Sequence, residues 1–95
     1  MTNLPYIKEE NKVYFDAVLL PLKRCAIANG AELNYLFAEL LNQFFVTNSK
    51  NYSNLAQAIS ALECQKLELY RRVAAPYEDS KIESNGEVYN EEVLR

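Results

Sequence analysis

Ninety-five residues leave room for one domain and one modest core. A hydrophobic fraction of 49% against 24% charged excludes a disordered chain, and a net charge of −3 excludes an acidic tail or a nucleic-acid mimic. Two Gly and three Pro supply too few turns for a many-stranded sheet, so the composition points to helices.

Leu4-Pro5-Tyr6-Ile7 reads as an extended lead, because Pro5 disfavours helix in the residue before it. A first helix is predicted to begin between Glu9 and Asn11, with Phe15, Val18, Leu19 and Leu22 on its apolar face. Pro21 lies inside that pattern and removes the N–H that would bond to Ala17. A kink there, or a break into two short helices, is expected. Asn29-Gly30 supplies the stop, since both residues tolerate the left-handed backbone that closes a helix.

Asn29 and Glu32 have the spacing of a capping box and open a second helix, from about Ala31 to Val46. Leu33, Leu36, Phe37, Leu40, Leu41, Phe44 and Phe45 share one broad face. Tyr35 and Val46 lie on a second flank, which leaves Glu32, Glu39 and Gln43 as a narrow polar stripe. A helix so widely apolar is expected to be buried on more than one side.

A polar loop from Thr47 to Asn51 leads to the third helix, capped by Asn51 or Ser53. Its face comprises Leu55, Ala58, Ile59, Leu62, Leu69, Tyr70 and Val73, and it runs to Pro76. Pro76 suits the first turn of a short further helix, with Glu78 and Asp79 near its positive end and Asn85-Gly86 closing it. The competing reading is a β-hairpin, with Asn85-Gly86 as a type I′ turn between Lys81-Ile82-Glu83 and Glu87-Val88-Tyr89. Those arms are short and poor in β-branched residues, so helix is preferred. The fold expected is all-α: one domain over residues 1–89 with three main helices, the first kinked at Pro21, plus a short C-terminal helix or turn. Residues 90–95 lack a periodic face and are expected to fray.

Glu63 and Lys66 sit one turn apart on the apolar arc of the third helix, with Tyr70 one turn further on. Buried there, they could form a small binding or acid/base site, since burial and a charged neighbour perturb a carboxylate. The structural alternative, which we prefer, is an ion pair whose lysine stem packs while its head reaches water. Asn34 could join them in a buried hydrogen-bonded network that fixes helix register. Arg71 and Arg72, beside Glu68, Glu78 and Asp79, read as cationic residues at a helix end, with anion capture as the functional alternative.

Catalytic and metal chemistry find little support. The chain has no His. Cys25 and Cys64 lie on separate helices, and with no secretory segment they are expected to stay reduced and to pack as small hydrophobes. Two isolated Cys do not make a zinc site, which leaves only a carboxylate site for Mg²⁺ or Mn²⁺. Glu32 and Glu39 are seven residues apart and Glu63 and Glu68 five apart, so neither forms the i, i+3 or i+4 pair such a site uses. No catalytic residue, metal or cofactor is assigned. Scattered basic residues argue against nucleic acid, and no apolar run approaches the ~20 residues of a membrane span, so a cytoplasmic protein is expected.

Three stretches, GAELNY at Gly30–Tyr35, LECQKLELYRRVAAPYEDSKI at Leu62–Ile82 and NGEVY at Asn85–Tyr89, resemble a family of small helical proteins of bacteriophage and bacterial genomes. The likeness runs from about Tyr6 to Tyr89, and YRR-to-PYED is its most specific part. Gly often stands in the family where this chain has Ser60, which implies a slightly looser helix approach there. The resemblance implies a phage or prophage accessory role and brings no known activity. The function expected is a non-enzymatic protein–protein interaction module or homo-oligomer, most simply a homodimer, or one acting on a host or phage protein. Tyr35 and Val46 are the candidate interface, because they leave helix two apolar on both sides. The alternative is a small ligand-binding protein or enzyme built on Glu63, Lys66 and Tyr70.

Overall fold

The computed structural model describes residues 6–95, and among them all regular structure is helical. The elements are α1 (Glu9–Tyr14), α2 (Asp16–Leu22), α3 (Gly30–Thr47), α4 (Tyr52–Leu69), a π-helical turn (Tyr70–Ala74), α5 (Ala75–Asn85) and α6 (Glu91–Leu94). They divide into two units, Met1–Leu40 and Leu41–Arg95.

In the first unit, helix precedes Pro21 as two short pieces, but the break lies at Phe15 rather than at the proline. Phe15 adopts φ −89° and ψ 2°, and its carbonyl accepts from the Val18 and Leu19 N–H groups at 2.9 and 3.0 Å. Pro21 instead falls in the last turn of α2, which ends at Leu22. There it lacks the N–H that would reach Ala17, and the helix ends one residue beyond it rather than kinking at it. Of the extended lead, Leu4 and Pro5 lie outside the described residues, and Tyr6 has φ 74°, a bend rather than extended chain. Asn29 caps α3 as its spacing predicts, its Oδ1 accepting from the Glu32 N–H at 2.9 Å. The Glu32 carboxylate reaches back to the Ala28 N–H at 2.8 Å, one residue beyond the usual reciprocal partner.

The second unit opens on an asparagine-rich corner. Asn48 closes α3 by donating both its backbone N–H and its Nδ2 to the Phe44 carbonyl, each at 2.9 Å. Asn51 caps α4, its Oδ1 accepting from the Asn54 N–H at 2.9 Å, and Asn54 Nδ2 donates to the Ser49 carbonyl at 2.7 Å. The Asn48 and Asn51 side chains thus satisfy backbone groups that helix ends leave orphaned, and Asn54 ties down the loop between them. Asn51→Ala should cost about 1 kcal/mol, read as a lower urea midpoint of the helical circular dichroism. An unchanged midpoint would mean that water replaces this cap without loss.

From Tyr52 to Asn85 the chain stays helical, but not as one regular α-helix followed by a fresh start at Pro76. At the π turn the Ala75 N–H donates to the Tyr70 carbonyl, five residues back. The next residue, Pro76, has no N–H to offer, and the widened turn carries the chain past its ring without ending the helix. Gly86 stops α5 at φ 93° and ψ 161°, with its N–H on the Ile82 carbonyl at 2.8 Å. Residues 77–85 are therefore helix and not a hairpin arm. The tail, for which no periodic face was found, carries the single turn α6, with Arg95 paired to Glu91 at 3.6 Å.

Burial is sparse. Ala58 is the one buried residue among those described, with Leu41, Phe44 and Phe45 half-buried. The Phe44 and Phe45 rings meet edge to face at 5.1 Å. Helix two was expected to be buried on more than one side, yet Leu33, Phe37, Leu40 and Val46 are exposed. Cys25 and Cys64 are free thiols, as expected, but both are exposed rather than packed as core hydrophobes.

Candidate functional site

The residues singled out on the third helix sit on α4 and the π turn of the second unit. Glu63 and Lys66 do form an ion pair, at 3.7 Å, with side chains 52% and 73% exposed. The burial expected for this pair is absent. Helical periodicity places both on the apolar arc of α4, but no other element of the second unit covers that arc. An exposed pair of this kind contributes about 0–1 kcal/mol, so Glu63→Ala alone should move stability by no more than that in urea unfolding.

Tyr70 does not join that pair. Its hydroxyl reaches across the π turn and donates to Glu78 Oε1 at 3.2 Å, which ties the end of α4 to the first turn of α5. This hydrogen bond first, then the Glu78 charge, and less strongly desolvation, Asp79 and Tyr89, raise the Tyr70 phenol above its ordinary 10.0. The folded chain thus favours the protonated phenol. What the contact contributes is complete below pH 10 and fades as pH rises through the raised folded value. Helicity lost above pH 10 should coincide with tyrosinate absorbance, and Tyr70→Phe should weaken the helix at neutral pH while removing that part of the alkaline loss. Superimposable profiles for the two chains would show the clasp to be idle.

Arg71 and Arg72 lie within the same π turn. Arg72 pairs with Glu68 at 3.4 Å, one helical turn back, and Arg71 is exposed. The ion pairing foreseen around this helix end is therefore present for Arg72. The π turn itself escaped sequence reasoning. The only trace of it was a proline placed after more than five turns of helix, where a widened turn is one way to accommodate the ring.

In the first unit, Asn34 stands exposed on α3, and no polar or charged residue is buried among those described. Asn34 lies in the first unit and Glu63 and Lys66 in the second, and within its own unit Asn34 is not buried, so no buried network forms around it there. Tyr35 is also exposed and lines a shallow apolar recess with Cys25, Ile27, Ala31 and Leu36. The Glu39 carboxylate, hydrogen-bonded to the Tyr35 hydroxyl, raises that phenol as Glu78 raises Tyr70. Val46, the other candidate contact, is exposed near the end of α3 in the second unit.

Among the described residues no helix is long and apolar enough to cross a membrane, and no three His, Cys, Asp or Glu side chains gather where they could hold a metal ion. Neither the curated proteins nor the solved structures yield a match to this chain. A family model does match, the domain of unknown function DUF6899, over residues 4–88. That covers nearly the whole chain, and the chain belongs to the DUF6899 family.

Proposed function

We propose that this chain is a non-enzymatic helical interaction module, an accessory protein of the phage or prophage kind, which gains its hydrophobic core by association. The observation that carries this reading is that Ala58 alone is buried among the described residues, in a chain that is 49% hydrophobic. Ordering a residue costs roughly 1–2 kcal/mol of backbone entropy, and apolar burial at about 25 cal/mol per Å² is the main term that offsets it. Most helical stability in proteins comes from packing of an apolar face rather than from the helix alone. In this reading the missing burial comes from another chain, and Tyr35, Val46 and the exposed leucines of α3 are apolar side chains available for it. The phage setting rests on the resemblance of the sequence stretches alone.

The reading is tested by thermal unfolding and sedimentation of the purified chain. A midpoint that rises between about 1 and about 100 µM protein, together with sedimentation above the chain mass, is the expected result, because association stabilises by mass action. A cooperatively folded monomer whose midpoint does not change over that range would overturn it.

A further inference from the structure

Along α4, Tyr52, Leu55, Ile59, Leu62, Lys66 and Leu69 recur at alternating steps of three and four residues. That is the repeat of a coiled-coil seam, narrower than the stripe of a helix packed in a globule. The π turn that begins at Tyr70 interrupts this spacing, so the seam is confined to the 18 residues of α4, about two and a half heptads. Tyr52, Ile59 and Lys66 occupy one core position of the heptad, and Leu55, Leu62 and Leu69 the other. The opposite side carries Ser53, Asn54, Gln57, Ser60 and Glu68. The seam is open to solvent: Tyr52 is 85% exposed, Ile59 65% and Leu69 61%.

We propose that a second copy of this chain occupies the seam, α4 against α4, parallel and in register, as a two-stranded coiled coil. This rests on the interaction-module reading and names its partner. Leucine fills the second core position throughout, at Leu55, Leu62 and Leu69, and Ile59 stands at the first; leucine there with a β-branched residue at the other is the combination that favours two parallel strands. Lys66 is the one charged core position in the seam, and single lysines at that position set register and strand number. In register, the two copies confine the polar layer to a single level, where Glu63 of the same helix, 3.7 Å from Lys66, offsets each charge. Slipping by one heptad would set Lys66 of one copy against Ile59 of the other and leave the second Lys66 beyond the end of the seam, creating two such levels. The copies therefore lock at the register that pairs like with like. Ala56 flanks the seam on one side and leaves the backbones free to approach there, while Ala58 on the other side is already covered by this chain.

Disulfide trapping in the full chain tests this. Cys25→Ser and Cys64→Ser remove the two free, exposed thiols. Ile59→Cys or Leu62→Cys is then added singly and the protein mildly oxidised, with circular dichroism confirming that each variant keeps its helix. Both should form disulfide-linked dimers in high yield, because core positions of a parallel pair bring identical residues within bridging distance. A chain that keeps only native Cys64, which lies on the outer side of the heptad, should link poorly. Self-association without preferential linking at 59 and 62 would overturn the coiled coil and leave the module reading standing. A stable monomer at all concentrations would remove both. Having two trapping positions ensures that one misfolded variant does not decide the outcome.

Discussion

Replacing Lys66 with isoleucine should stabilise the associated chain, by about 1–4 kcal/mol at fixed protein concentration. The direction is the informative part. In a single chain Lys66 is 73% exposed and its pair with Glu63 contributes about 0–1 kcal/mol, so the substitution alone would be neutral or mildly unfavourable. Within a seam of two copies both lysines are partly desolvated, and an apolar side chain in their place completes the core. The gain should come with a loss of uniqueness, since the polar layer no longer selects register or strand number, and sedimentation should then show species beyond one defined oligomer. Thermal unfolding of both chains at one concentration provides the first measurement and sedimentation equilibrium the second. A fall in stability of more than ~1 kcal/mol would mean that Lys66 acts through its charge, towards a carboxylate of some other partner.

Replacing Gly86 with valine should cost about 1–3 kcal/mol, through the backbone alone. Its φ of 93° and ψ of 161° lie in a region essentially restricted to glycine, and nothing lies within 4 Å of where a Cβ would be placed. The strain therefore arises within the residue, and it should be relieved by fraying of the last turn of α5, where the Gly86 N–H caps Ile82. Hydrogen exchange should report faster opening over residues 82–89 before the rest of the second unit is affected. Gly30→Ala is the matched control: it has no positive φ and open space around it at the start of α3, so it should be neutral or stabilise by up to ~1 kcal/mol. Equal losses at both glycines would show that general glycine loss, not the backbone angle of Gly86, is responsible.

Much of the helical framework is legible in short stretches of sequence. The Asn29 and Asn51 caps, the stop at Gly86 and the choice of helix over hairpin for residues 77–85 each depend on residues within four positions of one another. Such signals act through local backbone geometry, which no distant contact has to supply. Two local features were misplaced or missed. The break falls at Phe15 and not at Pro21, which lies in the last turn of α2, one residue before its end. The π turn at Tyr70–Ala74 passed unseen, because the apolar spacing of Leu69, Tyr70 and Val73 suits regular helix as well as a widened one.

Periodicity shows which side chains share an arc of a helix, and on that ground Glu63, Lys66 and Tyr70 were expected together; Glu63 and Lys66 lie on α4 and Tyr70 in the π turn. Whether another element covers that arc depends on where the rest of the chain lies. The second unit leaves it open, so the charged pair stands in solvent, and Tyr70 turns to Glu78 instead of towards Lys66. The same holds for Asn34, whose place on α3 was readable while its exposure was not. By itself, then, the sequence determined an all-α chain, its caps and its stops, because these follow from the backbone and its nearest neighbours. Only the tertiary structure decided that its apolar faces remain uncovered, because burial belongs to pairs of elements and no single helix encodes it.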